Sequence, residues 1–140
     1  MRNLFRLFLL VGGVVHAAPT LLARVYLGAG RNLAAVAPIA PVVADVGEFC
    51  LVRASDAELS SLGARGFNVT VLDRVGDEDY YFVRAGADFD QSLLPRNCRV
   101  LARYSRGLIV AATEEEVLLL NRLPVELARV AREPILQPGD

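Results

Sequence analysis

A chain of 140 residues is long enough for one ordinary domain or two small ones. With 54% hydrophobic residues, few aromatics and a formal charge of -1, it has neither the polar bias of a disordered chain nor the basic surplus of a nucleic-acid binder. Every basic residue is Arg; Lys and Trp are absent, and the only His and Met are His16 and Met1.

Residues 1–17, MRNLFRLFLLVGGVVHA, read as a signal peptide. Arg2 and Arg6 open it, residues 7–15 form a short apolar core, and Val15-His16-Ala17 ends it with small residues where a signal peptidase cuts. The competing reading is an uncleaved anchor, but a membrane span needs about 20 apolar residues. Cleavage after Ala17 predicts a secreted or periplasmic protein with no stable membrane span. The mature chain then keeps 13 Arg against 16 acids, a net charge of -3, because Arg2 and Arg6 are removed.

The mature chain also loses its only His. It has no Ser-His-Asp or Cys-His pair, no His-containing zinc site and no four-cysteine site, because it holds only two Cys. A Gly-rich phosphate loop with its Lys is absent as well. The chain as given is therefore expected not to be an enzyme and to carry no cofactor or metal.

Sliding the sequence against itself by 58 residues aligns 21–75 with 79–133 without a gap, with ten identities that include Val25/Val83, Gly28/Gly86, Glu58/Glu116 and Leu62/Leu120. In chain order, each unit opens with an apolar strand, residues 23–27 or 80–85. A short helix or turn follows, around 32–36 or 90–94, crowded by Pro38, Pro41 and Pro95. Next comes an alternating strand: Val42, Ala44 and Val46 on one face in the first unit, Val100, Ala102 and Tyr104 in the second. The most alike stretches are CLVRASDAELSSL and LIVAATEEEVLLL. Each is an apolar strand running into a capping box, Ser55-x-x-Glu58 or Thr113-x-x-Glu116, and then a helix ended by Gly66 or Pro124. Closing strands fall at 67–73 and 125–131. The order β-α-β-β-α-β predicts an α+β fold of two tandem ferredoxin-like units. Residues 75–79 link them, and 134–140 form a linker-like tail that is expected to lead into a further domain.

Leu118, Leu119 and Leu123 give the second capped helix more than one apolar face. They suit either an interface, between the copies or with a missing partner, or an overhang of core-facing leucines. Cys50 and Cys98 align with Leu108 and Ala40, which favours buried, unpaired thiols over a disulfide. The acidic runs 77–79 and 114–116 lack the alternating ligand spacing of a calcium loop, and the second lies in a helix first turn, where acids are favoured. Tyr80, Tyr81 and Phe82 suit an aromatic strand with alternate residues buried. Arg96, Arg99, Arg103 and Arg106 form a basic cluster in which Arg99 and Arg103 share one strand face. It is the candidate contact surface for an acidic partner; the alternative is an outward face blunted against edge pairing.

The run RVYL, EFCLVRAS, the capped helix DAELSSLGARG and FNVTVLD is similar to the activation segment of secreted zinc carboxypeptidases and to N-terminal segments of bacterial secreted zinc aminopeptidases. The resemblance covers residues 22–73 well and 80–131 less well. It implies a ferredoxin-like prodomain that assists folding of a peptidase catalytic domain, in cis or in trans, or covers its active-site face. No functional residue is carried over, because the metal ligands of those families lie in the catalytic domain. The other reading is a stand-alone extracytoplasmic binding module. A polar, convergent pocket between the copies distinguishes it.

Overall fold

The computed structural model describes residues 20–28, 32–86 and 88–136. The expected signal peptide lies outside these residues, as do the last four residues of the tail.

The chain is mixed α+β, with two four-stranded sheets whose strands are all antiparallel. The first sheet holds β1 (Leu21–Tyr26), β2 (Val42–Asp45), β3 (Phe49–Ala54) and β4 (Asn68–Arg74) in the order β2-β3-β1-β4. The second holds β5 (Asp79–Arg84), β6 (Arg99–Tyr104), β7 (Gly107–Ala112) and β8 (Glu126–Arg129) in the order β6-β7-β5-β8. Helix α1 (Leu33–Val36) follows β1 and α2 (Asp56–Ala64) follows β3. In the second half, a 3-10 turn, Gln91–Leu93, stands where α1 stood, and α3 (Glu114–Leu120) follows β7.

The strand registers obey the same 58-residue offset as the sequence. Leu21 pairs with Ala54, and Asp79 with Ala112. Ala23 pairs with Val71, and Tyr81 with Arg129. Each second strand also breaks register at the same place, between Val42 and Ala44 and between Val100 and Ala102.

These bulges correct the alternation expected from sequence. An extra residue in a strand reverses the faces beyond it. Val42 therefore joins the core under α1 and α2, whereas Val43, Ala44 and Val46 turn toward the other sheet. Likewise Arg99 pairs with Ala111, which faces the first sheet, while Arg103 pairs with Leu108, which faces α3. Arg99 and Arg103 lie on opposite faces, not on one.

Three apolar layers result. One lies between the first sheet and its helices, around Val25, Val36, Val52 and Leu62. Another lies between the second sheet and α3, around Val83, Val110 and Leu120. The middle layer joins Leu22, Val43, Phe49 and Leu51 of the first sheet to Tyr80, Ile109, Ala111 and Val130 of the second half. The sheets thus pack face to face with helices outside, and the near-continuous apolar runs of β3 and β7 follow from burial on both faces. The aromatic strand is buried on both faces for the same reason: Tyr80 faces the first sheet and Tyr81 the outer core.

The interface between the copies is therefore made by sheet faces and not by the leucines of α3. Leu118 and Leu119 remain 65% and 46% exposed, and Leu123 packs on the outer core. The described part of the tail bonds back to β2 through an antiparallel bridge between Val42 and Leu136 instead of running free.

Both capping boxes form. The Glu58 N–H donates to Ser55 Oγ at 3.2 Å while Ser55 N–H donates to Glu58 Oε1 at 2.9 Å. Thr113 and Glu116 repeat this at 3.3 and 2.8 Å. Replacing Ser55 or Thr113 by Ala is expected to cost about 0.5–2 kcal/mol each in chemical unfolding, and a Gly there only a few tenths. Equal losses for Ala and Gly would show that the caps contribute nothing specific.

Candidate functional site

Polar side chains gather at two ends of the inter-sheet layer. At the first end, the Tyr80 hydroxyl donates to Asp73 Oδ2 at 2.7 Å. The Arg99 guanidinium forks onto the same carboxylate at 3.1 and 2.9 Å and also reaches Glu78 at 2.5 Å. Arg53 lies over the Tyr80 ring, 5.5 Å from its centroid, and its Nε and Nη2 are buried with no hydrogen-bond partner among the described residues. Nearby, Asp79 is clamped by Arg132 at 2.7 and 2.6 Å. Arg99 is thus committed to an internal ion pair between the two copies.

Burial alone would raise the Asp73 carboxyl, but the hydrogen bonds from Arg99 and Tyr80 and the Arg99 charge outweigh it and hold the group below its ordinary value near 3.8. The hydrogen bond from Arg132 does the same for Asp79, against a smaller opposing effect of burial. Folding therefore lowers both values. The stability they contribute is present above the ordinary carboxylate range and is lost as pH falls through the folded values. The urea midpoint is expected to drop as pH falls below about 4, with a shallower drop in Asp73→Asn. An unchanged slope in that variant would remove Asp73 from the account.

At the second end, the aromatic rings of Tyr26, Phe49, Tyr104 and Phe82 meet edge to face in sequence, with centroids 5.9, 5.8 and 5.6 Å apart. Arg24 stacks 5.0 Å from the Tyr26 ring and donates to the Arg103 carbonyl at 3.2 Å. Beside this run a hollow of about 190 Å³ opens between the sheets, lined by Asp45, Val46, Phe82, Arg84, Tyr104, Arg106 and Ala128. Arg84 and Arg106 also line an adjoining hollow of about 540 Å³ with Leu123, Pro124, Val125 and Glu126. Arg84 holds Glu126 only at 3.7 Å. Two exposed guanidiniums on an aromatic floor suit a carboxylate, which a planar fork of N–H donors binds in bidentate fashion.

The four-arginine cluster does not form one surface. Arg96 is exposed in the loop before β6, Arg99 turns inward to Asp73, Arg103 donates to Gln91 on the outer face, and Arg106 reaches the hollow. Sequence analysis missed Arg84, Arg24 and Arg53. The available signal was their position: Arg24 and Arg53 each occupy a strand whose two faces are otherwise apolar, and Arg84 ends the aromatic strand and pairs directly with Gly107 beside Arg106.

Cys50 and Cys98 are both free and belong to different outer cores. Burial, then the charge of Asp45, pushes the Cys50 thiol up to about 12. Burial, then Glu116 and Glu78, pushes Cys98 up to about 11. Neither is an activated nucleophile. Among the described residues no group of His, Cys, Asp and Glu is arranged to hold a metal, and no helix is long and apolar enough to cross a membrane.

Neither a family model, nor a curated protein, nor a solved structure matches the chain.

Proposed function

We propose that this chain is an exported, non-catalytic protein that acts as the prodomain-like N-terminal region of a secreted metallopeptidase, assisting its folding or covering its active-site face. In this reading residues 1–17 are the signal peptide, and 21–75 and 79–133 are two ferredoxin-like units derived by duplication. The supporting observation is the strand order β2-β3-β1-β4, repeated as β6-β7-β5-β8, with the capped helix on the outer face of each sheet. That strand order, with a β-α-β-β-α-β sequence in the first copy and a 3-10 turn in place of the first helix in the second, supports a ferredoxin-like unit, the fold that the resemblance implies. Fold analogy alone never fixes function, so the reading is tested directly. The gene is read beyond the codon for Asp140, and residues 18–140 are added to any zinc-peptidase domain found in frame. Saturable inhibition, or recovery of activity on co-refolding, supports the proposal. A stop codon with no peptidase encoded nearby, or a peptidase indifferent to residues 18–140, overturns it.

The hollow between the copies favours a second reading, a stand-alone binding module. Arg84, Arg106 and Tyr104 converge there with Asp45 of the other unit. This module would take a carboxylate-bearing ligand. Loss of binding in Arg84→Ala and Arg106→Ala, in the absence of any peptidase, distinguishes it.

A further inference from the structure

The two copies are covered differently on their outer faces. In the first, Val42 is fully buried beneath a core that includes Val36 and Ala37. The tail closes its edge: Val42 N–H donates to Leu136 O at 2.7 Å, and Ile135 N–H donates to Val42 O at 2.7 Å. Fifty-eight residues later, Val100 holds the same place, on the edge strand of its sheet and one residue before the bulge. There a 3-10 turn replaces the helix, and among the described residues no segment pairs beyond β6. Val100 is 44% exposed, and Leu93 of the 3-10 turn and Leu119 of α3 are 53% and 46% exposed.

We propose that the β6 edge at Val100 is a docking site for an extended segment of a partner protein, which adds as a strand, sets one apolar side chain beside Val100 and places an acidic residue near Arg103. The first copy shows the chemistry that fills this place: Ile135 and Leu136 bond Val42 through their backbone, and the Leu136 side chain packs on the core while Ile135 stays 51% exposed. Added strands gain affinity from main-chain hydrogen bonds and specificity from side-chain pockets. Ile135 and Leu136 of the chain's own tail are engaged at Val42, and the proposed occupant of β6 is a segment of a second polypeptide. Charge separates the two sites. Because of the bulge, Arg103 shares the outer face with Val100, whereas the equivalent residue in the first copy is Asp45. In the register of Val42 with Leu136, the residue three before the apolar one stands near that level, and in the tail this is Glu133. An acid there meets opposite charge on β6. The inference stands apart from the prodomain reading and holds for any partner with such a segment.

The probe is a synthetic peptide with the sequence of residues 132–137, Arg-Glu-Pro-Ile-Leu-Gln, titrated into the isotope-labelled full chain. Saturable amide shifts are expected along residues 99–103 and at Leu93. Val100→Pro removes the outward N–H at an edge position, where proline is tolerated, and should weaken binding roughly tenfold. Arg103→Glu should weaken it too, and a peptide carrying Arg in place of its Glu should restore binding to that variant. Unchanged shifts of β1 and β3 confirm folding; if Val100→Pro fails that check, the Arg103→Glu exchange decides alone. No shifts on β6 at millimolar peptide, shifts confined to β2, or binding indifferent to both substitutions would overturn the proposal.

Discussion

Tyr80→Ala is expected to lower stability by about 3–5 kcal/mol, the range for removing a large buried aromatic side chain. Tyr80 is fully buried in the layer shared by the sheets. Its ring carries the Arg53 guanidinium, and its hydroxyl bonds Asp73. Truncation leaves a cavity, an uncovered cation and a carboxylate short of one donor. Tyr80→Phe keeps the ring and loses only the hydrogen bond to an ionised carboxylate, so about 1.5–3 kcal/mol is expected. Denaturant unfolding of the two variants measures both terms. Similar losses for Ala and Phe would place the energy in the hydroxyl and not in the packing.

Gly107→Ala is expected to cost at least the upper end of the roughly 1–3 kcal/mol typical of overpacking. A Cβ built there would lie 2.0 Å from the Val83 carbonyl oxygen, with φ at +155°. The obstacle is backbone, so relief requires parting β5 from β7. In the first copy the equivalent residue is Phe49, whose ring fills the inter-sheet layer; beside Gly107, Tyr104 supplies a ring that meets Phe49 at 5.8 Å. Thermal unfolding of Gly107→Ala beside Gly63→Ala makes the comparison, because nothing lies within 4 Å of a Cβ at Gly63. A Gly107→Ala loss no larger than that of Gly63→Ala would contradict the close approach.

Much of the secondary structure was legible because local physics determines it. Ser55, Thr113 and their glutamates announce two helix starts, and Asn32 and Asp90 cap the weaker turns with bonds of 2.9 Å each. The faces of β2 and β6 were not legible. Neither bulge carries a Gly or Pro, so nothing in Val43 or Leu101 signals the extra residue, and a strict period of two misassigns Arg99 and Arg103. The packing of sheet on sheet was half visible. FCLVRA and GLIVAA are apolar on both faces, which a sheet with one solvated side does not need, yet the leucines of α3 carry a stronger apolar signal that points away from this layer. The candidate site was least legible, because Arg84 and Arg106 lie 22 residues apart and meet only through the β5–β7 register.

Both functional readings depend on the two copies forming one body through the layer that holds Leu51 and Ile109. Native-state amide hydrogen exchange, in the chain and in Ile109→Ala, tests this directly. The expected result is that β1 and β3 share the highest opening free energy with β5 and β7, and that the substitution lowers all four together by about 2–4 kcal/mol. Loss of protection confined to β5 and β7, with β1 and β3 unmoved, would mean two independent units and would contradict the shared core.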